Sequence, residues 1–300
     1  MRGERRLRHR ERVELAMLAL PTFALALAIT IVSTQLGEIT RRYTRDAILI
    51  GAIIGGEGVM ALWVPLIFGS WSDTLRTRIG GRLPFVLAGG LPAAAAVALI
   101  GLVSGLGAVA LVSVLFFLFY FVAYEPYRAL YPDLVDSDVS GRAQSTQAVA
   151  RGLGTGAALL GGGLLLSVAR PLPFAVAALV LVLALLAFMR LLLRRGTPHQ
   201  DQARAEGPRQ VMRQLAELLG RDPRLRAYFF ANALWEMALA ALKAFIVLYM
   251  VVGLGYPLGT ASLLIGGVAL VILVGAGGSG KLGDRFGQVR IVRVALIGYG

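Results

Sequence analysis

Long apolar runs separated by short polar connections constrain the fold of this chain more than any other feature. Each run is about 18 to 25 residues long, which at ~1.5 Å per residue lets a helix cross a hydrocarbon core of ~30 Å. Of the 300 residues, 57% are hydrophobic and 16% charged, against roughly a quarter charged in a soluble domain. The pattern predicts an all-α polytopic membrane protein. Eight complete spans are expected, at residues 15–36, 47–71, 84–104, 108–124, 149–168, 172–193, 227–252 and 260–282.

A ninth apolar stretch opens at Ile291, and the sequence ends at Gly300. About ten residues are too few to cross a bilayer as a helix. We therefore expect the chain to be truncated within its ninth helix.

The basic residues are distributed unequally between the two sides of the predicted membrane. Of the 30 lysines and arginines, 25 lie in the N-terminal segment or in the connections after the second, fourth, sixth and eighth spans, and Lys243 lies inside a span. The four on the opposite side are Arg41, Arg42, Arg45 and Arg170. By the positive-inside rule, the N-terminus faces the cytoplasm of a multi-pass protein in the cytoplasmic (inner or plasma) membrane. The net charge of +13 therefore reflects topology, and no nucleic-acid partner is expected.

The basic N-terminus precedes an apolar run, as in a signal peptide. Because the run is about 20 residues long and a second span follows closely, an uncleaved first helix is the better interpretation. The sequence has no cysteine, which excludes disulfides, thiol nucleophiles and Cys-ligated metals. Its two histidines, His9 and His199, lie far apart in polar segments. No cofactor and no metal site are expected.

Two blocks of spans flank a polar centre. Residues 1–193 are predicted to form an N-terminal six-helix half, 194–226 a cytoplasmic linker, and 227–300 the start of a C-terminal half. Apolar residues recur at helical spacing over 211–219, between arginines. This spacing predicts an amphipathic helix at the cytoplasmic membrane surface or against the underside of the bundle.

A short sequence motif occurs once in each block of spans. "GSWSD" places Gly69 four residues before Asp73, and "GKLGD" places Gly280 four residues before Asp284. Each follows the second span of its block, and each is followed by arginine and glycine. Matching motifs at matching positions indicate duplicated halves, as in transporters with internal repeats.

These loops resemble a family signature. Gly-x-x-x-Asp-Arg-x-Gly after the second and eighth helices is similar to the loop of the major facilitator superfamily. "SDTLRTRIGGRLPF" resembles the version in glycoside–pentoside–hexuronide:cation symporters and the related sucrose-transporter group, although Thr74, Gly81 and Leu83 replace basic residues. "EPYRALYPDL", predicted as the loop after the fourth helix, is similar to that group's P-Y-x-A-L-x-P-D-L segment. The resemblance covers essentially the whole chain and implies a major facilitator fold of two six-helix halves.

The acids and arginines of these loops suit a cytoplasmic gate. In such transporters the halves separate on one side of the membrane and close on the other. Charge-assisted hydrogen bonds between a loop acid and arginines or helix N-termini can hold one state closed. The alternative explanation is that these residues only set the membrane topology and form the turns. The gate candidates are Asp73, Arg76, Arg78, Arg82, Glu125, Arg128, Asp133, Asp284 and Arg285.

Charged residues at membrane depth cost about 2.5–3.5 kcal/mol on insertion scales, so each is a functional candidate. Glu57 lies in the second span beside glycines that are expected to allow close helix approach. Glu236 and Lys243 share a face of the seventh span about 10 Å apart, with Asn232 one turn away. The alternatives to a functional role are structural ion pairs for the charged residues and ring packing for the tyrosines. The candidates for substrate binding or coupling are Glu57, Asn232, Glu236, Lys243, Tyr120 and Tyr124.

The leading hypothesis is a secondary active transporter that acts as a monomer in the lipid bilayer, with a small-molecule substrate and H⁺ or Na⁺ as coupling ion. The subgroup resemblance favours sugar or glycoside symport, and drug or metabolite efflux within the same superfamily is the closest alternative. A membrane-embedded enzyme lacks a visible catalytic constellation, so the chain is not expected to be an enzyme. A non-transporting receptor or scaffold on the same fold stays open. The glycine-rich stretch 152–163 is interpreted as close helix packing rather than a phosphate loop.

Overall fold

The computed structural model describes residues 9–75, 77, 79, 81–135, 140–195, 208–268 and 271. This part of the chain is helical, with short connections. The helices are α1 (His9–Arg41), α2 (Ala47–Thr74), α3 (Leu83–Leu102), α4 (Leu106–Asp133), α5 (Ser140–Val168), α6 (Leu172–Arg195), α7 (Pro208–Arg221), α8 (Pro223–Leu248) and α9 (Leu258–Val268). One π-helical turn, Tyr249–Gly253, continues α8.

Helices α1 to α6 are long and apolar enough to cross a membrane, which confirms the first six predicted spans. Helix α8 covers most of the seventh, and α9 covers the beginning of the eighth, whose residues after 268, other than 271, lie outside the described residues. One prediction is wrong: "EPYRALYPDL" is not a loop, because α4 continues to Asp133. The apolar run marks only the part of a helix inside hydrocarbon, whereas backbone hydrogen bonding continues into the polar region.

Local sequence sets several helix starts. The Asp46 carboxylate accepts from the Ile48 amide at 2.8 Å and caps α2. Asp222 caps α8 in the same way, accepting from the Arg224 amide at 2.8 Å. These bonds satisfy amide groups that have no partner within the helix.

Helix α1 is central to the N-terminal half and packs against α2, α4, α5, α6 and α8. Two glycines let backbones approach. A Cβ at Gly89 would lie 2.5 Å from the Ala123 amide nitrogen, where α3 crosses α4. A Cβ at Gly154 would overlap the Phe23 carbonyl oxygen, where α5 crosses α1. Small residues are the usual means of close helix packing in membranes, so the prediction for the glycine-rich stretch is confirmed at Gly154.

The predicted amphipathic helix is present as α7, which packs against α8 and α2. Its predicted position on the cytoplasmic side stays a prediction. Leu218 remains 55% exposed on α7.

We call the end of the bundle that carries the α2–α3 and α4–α5 connections the basic end, and the opposite end the distal end. Arg170 joins three connections at the distal end. It donates to the Tyr43 hydroxyl at 2.6 Å and to the carbonyls of Ile100 at 3.1 Å and Val103 at 2.5 Å. Partial burial raises the pKa of Tyr43, but hydrogen bonds from Arg170 and the Gly105 amide, together with the Arg170 charge, outweigh it and leave that pKa below its usual value of 10.0.

Candidate functional site

The acids and arginine of the basic end form a cluster centred on Arg82. Its guanidinium binds the Asp73 carboxylate through Nε and Nη2, both at 2.8 Å. Nη1 donates to the Ala129 carbonyl at 2.8 Å and also pairs with Asp133. Arg82 therefore ties the end of α2 and the end of α4 to the start of α3. Its side chain is only 18% exposed, so these bonds are partly shielded from water.

Aromatic rings brace the same corner. Phe68 and Trp71 of α2 both face Phe85 of α3, with ring centroids 6.1 and 5.2 Å apart from it. Offset and edge-on ring contacts of this kind stabilise packing beyond area burial. The corner between α2 and α3 is therefore held by apolar contacts as well as by charge.

Four gate candidates, Arg76, Arg78, Asp284 and Arg285, lie outside the described residues. The ion pair between Asp73 and Arg82 joins two elements of the N-terminal half to each other. A bridge from Asp73 to the second half stays a prediction.

Glu57 lies on α2 and faces α1. Its carboxyl group forms a hydrogen bond with the Ser33 hydroxyl, which is also 2.8 Å from the Ile29 carbonyl. A Cβ at the neighbouring Gly56 would lie 3.7 Å from Val114 Cγ2 of α4, which is an ordinary contact. A Cβ at Gly55 or Gly58 would meet no described atom within 4 Å. Close helix approach at these glycines therefore stays a prediction.

Tyr120 and Tyr124 stack on α4, with ring centroids 5.3 Å apart and planes 15° apart. The Arg151 guanidinium of α5 lies 5.7 Å from the Tyr124 ring centroid, in cation–π range. Glu125, half-buried beside Tyr124, interacts electrostatically with both Arg128 and Arg151. The structure thus brings these candidates together and adds Arg151. The count of basic residues treats Arg151 only as a topology marker at the start of the fifth span, whereas the structure places it on α5 against Tyr124.

Asn232, Glu236 and Lys243 lie on α8, but the structure describes only their backbone and not their side chains. Their predicted roles therefore stay predictions. The described residues include no group of three or more histidine, cysteine or acidic side chains that could hold a metal.

Helices α5 and α9 meet in a tight seam toward the distal end. A Cβ at Gly163 would overlap Ser262 Oγ and lie 2.8 Å from Ser262 Cβ and 3.2 Å from the Leu258 carbonyl oxygen. Further along, a Cβ at Gly259 would lie 3.2 Å from Leu164 Cδ2. The seam joins the N-terminal half to the block that begins with α8, and it depends on glycine at position 163.

Comparison with known proteins gives a consistent result. The sequence profile described as Major Facilitator Superfamily matches residues 17–300. A search of curated proteins finds no sequence match. Among solved structures, the chain is similar to a bacterial homologue of the human lysosomal transporter Spinster in inward-facing conformations. The TM-score is 0.70 with 15% identity for the unoccupied form, over 92% of this chain and 63% of that one. For the occupied form it is 0.68 with 16% identity, over 94% and 63%.

A third similar structure is a mutant of the peptide transporter POT in complex with sulfate. Its TM-score is 0.54 with 19% identity, over 80% of this chain and 49% of that one. The likeness to all three is one of fold. The chain spans 63% of the length of the Spinster homologue.

Proposed function

Because the chain belongs to the Major Facilitator Superfamily over residues 17–300, we propose that it is part of a secondary active transporter that moves a small solute by alternating access. The family match is the observation that carries the proposal. Residues 1–193 act as one half, 227–300 begin the other, and 194–226 link them. The charge distribution supports a cytoplasmic basic end, in the cytoplasmic membrane.

Glu57 is proposed as the proton-coupling group. Ser33 has one hydroxyl hydrogen and two neighbouring acceptors, the Ile29 carbonyl and the Glu57 carboxyl group. If Glu57 is protonated, it donates to Ser33 Oγ, and Ser33 donates to Ile29. If Glu57 is ionised, the two acceptors compete for one hydrogen. Gain or loss of a proton at Glu57 would therefore change the hydrogen bonding between α2 and α1, and we propose that this change accompanies a change of state.

The solute site is proposed near Tyr120, Tyr124 and Arg151, together with Asn232, Glu236 and Lys243 of α8. Stacked aromatic rings with hydroxyl and guanidinium donors suit a polar ring such as a sugar. The loop resemblance supports the same class, so sugar or glycoside symport is the finer proposal. Efflux of a drug or metabolite is the second candidate, because the same aromatic rings suit an apolar cargo.

At the basic end, Arg82 is proposed to fix the shape of the gate. By joining α2, α3 and α4 it lets this corner move as one body when the halves rock. Arg76, Arg78, Asp284 and Arg285 are proposed to supply the contacts between halves, with Glu125, Arg128 and Asp133 on the α4 side.

The test is solute counterflow by the full-length protein in proteoliposomes, with labelled monosaccharides and disaccharides. Accelerated exchange of one sugar, reduced by Tyr124→Ala but not by the lipid-exposed control Leu111→Ala, would support the proposal. Leu111 is 61% exposed on the same helix. Exchange of no sugar, together with extrusion of dyes or drugs, would favour efflux.

A further inference from the structure

Three polar oxygens near the α5–α9 seam are buried without a hydrogen-bond partner in the described part of the chain. They are Gln35 Oε1 and Glu38 Oε2 on α1 and Ser262 Oγ on α9. Gln35 and Ser262 are each only 1% exposed. A buried polar group left unpaired in a membrane interior is costly. Three such oxygens in one region therefore indicate a ligand.

Chain position and contacts with α5 glycines place the three residues in one region of the fold. Gln35 and Glu38 are three residues apart and so lie on neighbouring turns of one face of α1. Gln35 Nε2 lies 3.3 Å from the position of a Cβ on Gly162, and Ser262 Oγ overlaps that of the adjacent Gly163. Gln35 and Ser262 thus reach the same pair of α5 glycines from helices of different halves.

The orientation of the Gln35 amide is fixed by its neighbour. Thr34 Oγ1 donates its single hydrogen to the Thr30 carbonyl at 2.6 Å. Thr34 can therefore only accept from Gln35, and the Gln35 Nε2 group donates to it at 3.3 Å. The amide oxygen is consequently the atom left free, and exchanging the amide's nitrogen and oxygen does not satisfy it.

We propose that Gln35, Glu38 and Ser262 bind a monovalent cation, Na⁺, that bridges α1 and α9 and stabilises the state closed at the distal end. Carboxylate, amide and hydroxyl oxygens are the ligands that hard cations take. A proton shared by Glu38 and Gln35 would satisfy two of the oxygens and leave Ser262 unpaired, whereas a cation satisfies all three. The site is separate from Glu57, and its gating role rests on the proposed alternating access.

The test is thermal unfolding of the full-length protein in detergent, followed by intrinsic tryptophan fluorescence, with NaCl exchanged for choline chloride at constant ionic strength. We expect Na⁺ to raise the Tm saturably by about 2–4 °C. Gln35→Leu, Glu38→Gln and Ser262→Ala should each abolish the shift. Ser113→Ala should keep it, because Ser113 is an equally buried and unpartnered hydroxyl on α4.

Equal Tm values in Na⁺ and choline, or a Na⁺ shift that survives all three substitutions, would overturn the proposal. So would a Tm that depends on Glu38 through pH but not through Na⁺, which would assign the site to a proton. The assay requires no transport, so it separates the two proposals. A Na⁺ shift without any solute movement would contradict the transport function alone, and solute movement without a Na⁺ shift would contradict the cation site alone.

Discussion

Replacing Gly163 by alanine is predicted to shift the protein toward the state that is open at the distal end. The new Cβ would overlap Ser262 Oγ at the α5–α9 seam, a contact that would hold the distal end closed in the proposed mechanism. Rotation of the serine can move its hydroxyl away but cannot move its Cβ, which would remain 2.8 Å from the new methyl group. Relief therefore requires α9 to retreat from α5, as it would in the proposed separation of the halves.

The size of the shift follows from the cost of overpacking. Inserting one methyl group into a well-packed contact typically costs about 1–3 kcal/mol. If the distally open state does not bear that cost, the closed-to-open ratio falls by about 5- to 150-fold. A protein that rests mainly in the closed state would then populate the open state measurably.

The assay is a distance measurement between spin labels at the distal end. Val168 ends α5 and is 76% exposed, and Tyr256 precedes α9 and is 41% exposed. Val168→Cys and Tyr256→Cys provide the label pair, and residues 1–300 contain no other cysteine to be labelled. Wild-type protein should give mainly the short distance, and Gly163→Ala should add or enlarge a longer one.

Two further variants make the test specific. Gly161→Ala places a methyl group on the same helix with no described atom within 4 Å, so it should leave the distances unchanged. Ser262→Gly removes the opposing side chain and should restore the short distance in the Gly163→Ala background. An unchanged distribution in Gly163→Ala, or an equal shift in Gly161→Ala, would refute the reasoning.

Three other predictions concern polar contacts. Glu57→Gln retains a donor for Ser33, so the Tm should hardly change. Solute exchange should persist, whereas proton-driven accumulation should be lost. Loss of exchange as well would contradict this prediction. Tyr43→Phe should lower the Tm more at pH ~10 than at pH ~7. The pKa of Tyr43 is lowered in the folded protein, so the hydroxyl stabilises the fold more as it ionises beside Arg170. An equal loss of Tm at the two pH values would contradict this prediction. Arg82→Lys cannot reproduce the guanidinium's simultaneous bonds, so unfolding in detergent should occur at a Tm several degrees lower, and an unchanged Tm would show that the cluster is dispensable.

The positions of the membrane helices are predictable from hydropathy, because a run of about 20 apolar residues has few alternatives to a span. Their ends are not, since hydropathy marks only the part within hydrocarbon. The continuation of α4 to Asp133 and the start of α5 at Ser140 follow from backbone hydrogen bonding that hydropathy does not report.

The candidate site is predictable in part. The loop pattern identifies Arg82, Asp73 and Asp133 one by one, but their convergence on one guanidinium depends on how α2, α3 and α4 pack. The glycine-rich stretch 152–163 predicts close helix packing at Gly163 but not its contact, since Ser262 lies in a different half of the chain. Contacts between distant segments are set by tertiary packing, which a single sequence does not display.

Gradient-driven accumulation tests the proposed solute transport most directly. The measurement is uptake of labelled sugars, and extrusion of dyes and drugs, by the full-length protein in proteoliposomes with and without an imposed proton gradient. We expect gradient-dependent movement of a solute that Glu57→Gln uncouples from the gradient. If no solute moves under any gradient, and a cooperative thermal unfolding transition shows that the protein is folded, the result would contradict solute transport.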